Sequence, residues 1–212
     1  MTNLSTIKVC PQSIFTVECP GSHLNWLVRF TEQLKDDSLI RRGGASRPGF
    51  FYPISDQDRE SSECSQLHHW LHQCVNQVRD RIIWSRSEFP GLRITQSWIN
   101  ISRKLMSHDI HDHPMSILSG VICLSDQVEI DLYIKSSYSL PLFLCVDKGE
   151  ADLLIKQTIE LSKGDLILFP SSLRHGVAPH QGDVDRMTFA FNSFFAGTIG
   201  CADNLASLRL DR

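Results

Sequence analysis

The sequence has no surplus of basic charge and no long run of apolar residues. Its 21 Lys and Arg residues are outnumbered by 24 Asp and Glu residues, and the formal net charge of −3 argues against a surface that binds nucleic acid. No segment approaches the roughly 20 apolar residues that a membrane-spanning helix needs. The N-terminal residues also lack the cationic segment, followed by an apolar one, of a secretion signal. We therefore expect a cytoplasmic protein whose partners include neither nucleic acid nor a membrane.

Paired cysteine spacing is also missing. The seven cysteines are an odd number and form no CxxC motif. Cys123 and Cys145 lie in apolar runs, where thiols act as small hydrophobic side chains. We assign no disulfides. With 212 residues, 42% of them hydrophobic, the chain is long enough for one domain with a sizeable core.

Two helical patterns occupy the first part of the chain. After Ser22, Trp26, Leu27, Phe30 and Leu34 recur at helical spacing. A second helix is predicted to start at Ser61 or Ser62, to end before Pro90 and to bury one face, which consists of Leu67, Trp70, Leu71, Cys74, Val78 and Ile82. Between the helices, the glycines and prolines of residues 41–55 predict a loop. Its arginines and aromatic residues fit either a lid over a substrate or a surface loop.

Beyond residue 90 the apolar period changes to two, which predicts strands. The segments that show it are 92–101, 109–113, 116–124, 128–135, 140–146, 151–160, 165–169 and 185–195. Eight short strands predict a mostly β fold, a double-stranded β-helix or jelly roll with two N-terminal helices packed outside. We expect a single domain over residues 1–212, with a helical part at 1–90 and a β-barrel core at 91–196.

Three histidines are candidate metal ligands. His111 and His113 flank Asp112, and alternate side chains share one face of a strand, so both imidazoles can point at one ion. His175 follows much later in the chain. Three donors on one octahedral face leave positions open for a co-substrate and dioxygen, as non-haem Fe(II) oxygenases require. Asp109 lies on the same strand face, either as a ligand or, as we prefer, to orient a histidine.

Four linked motifs occur in order and carry a resemblance. They are Trp98-Ile-Asn100, His111-x-His113-Pro114-x-Ser116-x-x-Ser119-Gly120-Val121, Leu168-Phe169-Pro170-Ser171-x-x-x-His175-x-Val177-x-Pro179 and Arg186-x-Thr188-x-x-Phe191-Asn192. Together they resemble the small 2-oxoglutarate- and Fe(II)-dependent oxygenases of bacteria and phages, a branch of the prolyl-hydroxylase-like superfamily. The resemblance spans roughly residues 92–195. It implies Fe(II) as cofactor, with 2-oxoglutarate and O2 as co-substrates.

The resemblance also implies roles for single residues. His111 and His175 match the family's metal-binding histidines, and His113 stands where the wider superfamily usually has Asp or Glu. Arg186 matches the arginine that binds the distal carboxylate of 2-oxoglutarate, and Thr188 matches the hydroxyl residue that assists it. Asn100 and Trp98 are expected to contact the co-substrate or substrate, although a tryptophan in a strand is more often a core residue. The implied reaction is hydroxylation of an unactivated carbon in a small molecule, such as an amino-acid-like or natural-product substrate.

Other interpretations remain open at this point. A three-histidine dioxygenase of the cupin type would not use 2-oxoglutarate, and would leave Arg186 and Thr188 without a role. A metal- or ligand-binding barrel without turnover is the other alternative. Cys64, His68 and His72 lie at successive turns of the second helix, but they drift around it and have no fourth ligand, which disfavours a zinc site. His108 and His180 are expected in loops, and a homodimer is the oligomer we consider.

Overall fold

Strands make up most of the regular structure. The structure, a computed structural model, describes residues 4–9, 12–34, 46–48, 61–82, 91–126, 128–135, 154–201 and 206–210. Its helices are α1 (Gly21–Leu34) and α2 (Ser62–Ile82). Its strands are β1 (Leu4–Val9), β2 (Gln12–Glu18), β3 (Ser46–Pro48), β4 (Leu92–Ser102), β5 (His108–His111), β6 (Leu118–Cys123), β7 (Val128–Lys135), β8 (Leu154–Leu161), β9 (Asp165–Pro170), β10 (Arg174–Val177), β11 (Arg186–Phe195), β12 (Gly197–Cys201) and β13 (Ala206–Leu210).

The strands form two main antiparallel sheets and a small hairpin. The larger sheet has seven strands in the order β1-β2-β9-β6-β11-β4-β3, and the smaller one has four in the order β5-β10-β7-β8. β12 and β13 pair with each other. The crossovers between the two main sheets are those of a jelly roll, so the predicted fold class is confirmed.

Strand alternation gives the larger sheet an outer face and an inner face. On β11, Phe189 and Phe191 are buried in the cluster that the helices also join, whereas Thr188 and Asn192 point to the opposite face because side chains alternate along a strand. That inner face packs against the smaller sheet through a second apolar cluster, which joins Ile14, Ile167 and Phe169 to Ile130 and Ile159. The candidate site lies on the inner face.

The two helices cover the outer face, as predicted. α2 begins after Ser61, whose hydroxyl accepts a hydrogen bond from the Cys64 amide at 3.2 Å and acts as its N-cap. The predicted apolar face of α2 is buried at Leu67, Trp70, Leu71, Cys74 and Val78. Leu27 of α1 is also fully buried in this cluster. Neither described helix combines the length and the apolar composition needed to cross a lipid bilayer.

The first ninety residues are not purely helical, which corrects the sequence-based expectation. β1 and β2 extend the larger sheet beyond β9. Ile14, Phe15 and Val17 are all buried because both faces of β2 are covered, so the strand lacks the polar–apolar alternation that would have predicted it. β10 was missed because it has only four residues, one of them a glycine.

A short strand also crosses the predicted loop 41–55. Ser46–Pro48 forms β3, which pairs with β4 opposite Asn100, Ile99 and Trp98. The rest of that loop lies outside the described residues, and so does the predicted strand 140–146. The choice between a lid and a surface loop therefore stays a prediction.

Candidate metal centre

His111 and His175 face each other across two neighbouring strands. His111 is the last residue of β5 and His175 lies in β10, and the antiparallel register makes them direct partners. Their ring centroids are 4.4 Å apart. Strand pairing therefore brings together two histidines that are distant in the sequence.

His113 reaches the same point from outside the strand. β5 ends at His111, and His113 lies in the connection to β6, just before a turn at Pro114 and Met115. Met115 has a positive φ of 57°, which bends the chain sharply. The Nε2 atoms of His111 and His113 lie 3.2 Å apart. The two side chains meet as expected, but through the chain's exit from the strand and not through strand alternation.

Each imidazole is held through its Nδ1 atom. The Nδ1 of His111 lies 2.7 Å from the Asp109 carbonyl oxygen, and that of His175 lies 2.9 Å from the Leu173 carbonyl oxygen. The Nδ1 of His113 lies 2.6 Å from Asn192 Oδ1. These oxygens only accept hydrogen bonds, so each Nδ1 carries the proton and each Nε2 has a free lone pair. The hydrogen bonds therefore set all three rings in the tautomer that binds a metal through Nε2.

The donor set fits a transition-metal ion. One ligand atom from each of His111, His113 and His175 lies within 4.8 Å of the others. The Nε2 lone pairs of His111 and His113, 3.2 Å apart, repel each other unless a cation lies between them. The spacing fits a shared ion, because two neighbouring imidazole nitrogens that each bind a metal at about 2.1 Å lie about 3 Å apart. Imidazole nitrogen suits iron, nickel, copper and zinc better than calcium or magnesium.

Burial favours the neutral, metal-binding form of these imidazoles. Burial, together with the charges of His111 and His113, lowers the pKa of His175 to about 4, although the hydrogen bond to the Leu173 carbonyl oxygen acts to raise it. Burial also lowers the pKa of His113, although the hydrogen bond with Asn192 opposes this change. His111 is exposed, so the cluster opens to solvent on that side. Small ligands can reach the cluster there.

A cavity joins the histidine cluster to Arg186. The cavity is lined by all three histidines and by Trp98, Asn100, Val121, Val177, Arg186 and Thr188, among others. Arg186 is 6% exposed, and its guanidinium donates hydrogen bonds to the carbonyl oxygens of Ala178 at 3.1 Å and Met106 at 3.4 Å. Burial lowers the pKa of Arg186, against the charge of Glu129, but a guanidinium stays protonated at neutral pH.

Thr188 and Asn100 stand side by side on the cavity wall. They are partners in the β11–β4 pair, and Asn100 Nδ2 donates to Thr188 Oγ1 at 3.2 Å. Because the threonine oxygen accepts this bond, its own proton can turn toward a ligand. Trp98 packs edge-on against His113, with ring centroids 5.5 Å apart. The structure thus brings to one cavity the three histidines, Trp98, Asn100, Arg186 and Thr188.

Three further residues at this site had no role predicted from the sequence. His108 was expected in a loop but is the first residue of β5 and lines the cavity. Burial and the charge of Arg186 lower its pKa. Asn192 and Ser119, which the motifs contained without a role, contact His113 Nδ1 at 2.6 and 2.8 Å. The only signal for Asn192 was its even spacing from Arg186 and Thr188 along one strand face.

Other candidate ligands do not join the cluster. Asp109 contributes its carbonyl oxygen to His111, and its exposed side chain is not part of the histidine group. On α2, Cys64 is buried whereas His68 is exposed. Within the described ranges, His111, His113 and His175 form the one group of three potential ligand side chains.

Comparisons with known proteins agree with the geometry. Residues 96–192 match the family described as "Putative 2OG-Fe(II) oxygenase". This segment contains the metal motif, the distal histidine and the Arg186-x-Thr188 motif. No curated protein is similar enough in sequence to count as a match.

Several solved structures share the fold. A prolyl-4-hydroxylase of Pseudomonas putida has a TM-score of 0.59 and 10% identity, covering 90% of this chain and 96% of its own. HygX of Streptomyces hygroscopicus, solved with nickel and 2-oxoglutarate, has a TM-score of 0.54 and 14% identity over 85% and 81% of the two chains. SnoN, a non-haem α-ketoglutarate-dependent epimerase of nogalamycin biosynthesis, has a TM-score of 0.56 and 14% identity over 86% and 79%. At these identities the likeness supports the fold alone. Residues 96–192, which carry the motifs and much of the jelly roll, therefore resemble the 2-oxoglutarate- and Fe(II)-dependent oxygenase family.

Proposed function

We propose that this protein is a 2-oxoglutarate- and Fe(II)-dependent dioxygenase that hydroxylates an unactivated carbon of a small molecule. The observation that carries the proposal is one cavity lined both by three imidazoles able to bind a metal and by Arg186 with Thr188. These two groups match the two ends of 2-oxoglutarate, which chelates a metal through its 2-oxo acid and carries a second carboxylate.

His111, His113 and His175 are the proposed iron ligands. When bound, Fe(II) with 2-oxoglutarate supplies the activation of dioxygen that oxidises a carbon–hydrogen bond while 2-oxoglutarate becomes succinate and carbon dioxide. The protein's part is to hold the three imidazoles neutral and oriented through the Asp109 and Leu173 carbonyl oxygens and the Asn192 amide.

Arg186 is the proposed anchor for the distal carboxylate of 2-oxoglutarate. Its carbonyl partners Ala178 and Met106 orient the guanidinium and leave further N–H groups for a carboxylate. The Thr188 hydroxyl adds one donor beside it. No carboxylate occurs among the described residues that line the cavity, so the positive charge of Arg186 is not neutralised there by a lining side chain. A cavity of this charge favours a dianionic ligand.

The proposed substrate is an amino-acid-like or natural-product molecule. Trp98 beside His113 offers an aromatic edge near the metal centre, and Val121 and Val177 add apolar walls that limit water there. Two similar structures, an epimerase and a carbocyclase, belong to nogalamycin biosynthesis, which supports a small-molecule substrate.

Succinate formation tests the proposal. Protein reconstituted anaerobically with Fe(II) should bind about one ion per chain and then, with 2-oxoglutarate and oxygen, release succinate at a rate that a suitable substrate raises. His175→Ala should lose the metal, and the same variant serves as the control for free iron. Because turnover without substrate can be slow, binding of 2-oxoglutarate to the metal-loaded protein is measured by calorimetry as well.

The same measurements separate the alternatives. Metal binding without 2-oxoglutarate binding would contradict the proposal and favour a cupin-type three-histidine dioxygenase. Binding of both ligands without succinate, across a panel of amino acids and natural products, would favour a binding barrel.

A further inference from the structure

A buried polar cluster lies on the Nδ1 side of the His113 ring, whereas His111 lies on the Nε2 side. Asn192 is 8% exposed, and Ser119 and Ser171 are fully buried. Asn192 of β11 and Ser119 of β6 are direct cross-strand partners on the inner face. Buried polar groups cost free energy unless they are hydrogen-bonded, so each of these side chains needs a hydrogen-bond partner within the cluster.

The hydrogen bonds of this cluster lead to His113 Nδ1. Asn192 Oδ1 lies 2.6 Å from His113 Nδ1 and accepts a second bond from Ser119 Oγ at 2.8 Å. Ser119 Oγ is also 2.8 Å from His113 Nδ1 and 2.9 Å from Ser171 Oγ. The carbonyl oxygen of Ser171 accepts from the His113 amide at 2.9 Å. Ring and backbone of His113 are therefore held by the same group of residues.

Asn192 differs in charge from the carboxylate that often accepts a hydrogen bond from a metal-bound histidine. Metal-bound histidines often donate to a carboxylate, which makes the imidazole a stronger ligand. Here the acceptor is a neutral amide, and the described residues that line the cavity include no carboxylate. Three neutral imidazoles add no negative charge to a divalent ion. The full charge of the ion then remains available to a dianionic ligand.

We propose that Asn192, held by Ser119, is a positioning residue that orients His113 without adding charge, and thereby favours binding of a dianionic co-substrate at the metal. This inference rests on the proposed function. Its consequence is a trade-off: a negative charge at position 192 strengthens metal binding and weakens co-substrate binding. A residue that only supported the fold would not shift the two affinities in opposite directions.

Asn192→Asp tests the trade-off because the two side chains have nearly the same shape. Co(II) serves as the metal probe, since its visible absorption reports the ligand set. We expect Asn192→Asp to bind Co(II) several-fold more tightly and the Co(II)-loaded variant to bind 2-oxoglutarate about 10-fold more weakly. Asn192→Ala removes the acceptor and should weaken Co(II) binding by about 10- to 100-fold. Calorimetry gives both affinities without measuring turnover.

Thr95→Ala is the matched control. The Thr95 hydroxyl donates to the main-chain oxygen of Asn192 at 3.4 Å, so its loss perturbs the same residue but not the amide that meets His113. Both affinities and the Co(II) spectrum should match those of the unaltered protein.

The outcomes distinguish this inference from the proposed function. If the unaltered protein binds no Co(II), both fail. If it binds Co(II) and 2-oxoglutarate, but Asn192→Asp weakens both or neither, Asn192 has no charge-setting role and this inference alone fails. Should Asn192→Asp not fold, Ser119→Ala replaces it, with an expected three- to ten-fold loss of Co(II) affinity at an unchanged melting temperature. Unchanged affinity in that variant overturns the inference.

Discussion

At the residue scale, the partner of each Nδ1 atom decides what the histidines can do. The carbonyl oxygens of Asp109 and Leu173 hold His111 and His175, and the Asn192 amide holds His113. Neither a main-chain carbonyl nor a side-chain amide titrates, so none of the three ring orientations depends on the protonation of its Nδ1 partner. Solution pH therefore acts on this centre through the imidazoles themselves.

Replacing Arg186 tests the co-substrate anchor. Arg186→Ala removes a charge-assisted, bidentate contact of order 2–4 kcal/mol, which corresponds to roughly 30- to 1,000-fold in 2-oxoglutarate affinity. Arg186→Lys should recover only part of it, because a point charge cannot reproduce the planar fork. Thr188→Val should cost about 1 kcal/mol. Calorimetry with the metal-loaded protein measures each loss, and metal binding should be retained in all three. Equal affinity in Arg186→Ala and the unaltered protein would contradict the assignment.

His113→Asp tests whether position 113 coordinates directly. The carboxylate is a common ligand at this position in the wider superfamily, so the variant should still bind about one Fe(II) or Co(II). Its added negative charge should lower 2-oxoglutarate affinity, in the same direction as Asn192→Asp. His113→Ala is the comparison, and it should bind metal less tightly than both the unaltered protein and His113→Asp. If His113→Asp loses all metal while His113→Ala keeps it, the ligand set is different.

At the scale of elements, β6 and β11 pair closely, and they carry Ser119 and Asn192 on the face of the site and Phe191 in the outer apolar cluster. Gly120 and Phe191 are direct partners across this pair. A Cβ atom at position 120 would lie 2.6 and 2.8 Å from Phe191 Cε1 and Cε2, closer than carbon atoms can pack. Phe191 is fully buried and cannot move aside. The glycine therefore lets the aromatic core meet the strand that carries Ser119.

Gly120→Ala should destabilise the protein by about 1–3 kcal/mol through overpacking. Chemical denaturation measures the change. Gly120→Ala combined with Phe191→Leu should cost less than the sum of the two single changes, because the smaller side chain makes room for the methyl group. Gly21→Ala is the matched control, since a Cβ there meets nothing within 4 Å. Strictly additive losses in the double variant would refute the steric explanation.

At the scale of the whole molecule, the site couples folding to pH. His175 is buried between the two sheets, and burial holds its pKa at about 4, below the ordinary value of 6.5. The folded-state pKa is lower than the unfolded-state pKa, so between these values the unfolded chain binds a proton that the folded chain does not. Stability due to this group is thus fully present above about pH 6.5 and falls as the pH drops toward 4.

The metal-free protein should therefore lose roughly 3 kcal/mol of unfolding free energy between pH 7 and pH 4 through His175 alone. Burial lowers the pKa of His113 and His108 as well, which adds to the loss in the same direction. Denaturation in the presence of a chelator, at a series of pH values, measures it. His175→Leu should show a clearly weaker pH dependence. The same slope in both proteins would count against His175 as its source.

Sequence patterns were enough to predict the fold class and the metal-binding and co-substrate-binding candidates of the site. Period-two apolar patterns predicted most strands of the barrel, and motif spacing singled out His111, His175 and Arg186 because these signals depend only on local order along the chain. The assembled fold set the features that local order along the chain cannot encode. Strand pairing set His175 opposite His111, the chain's exit from β5 rather than strand alternation brought His113 to them, and cross-strand register put Asn192 behind its ring. β2 also escaped prediction, because burial on both of its faces, a property of the assembled sheet, removes the alternation that reveals a strand in sequence.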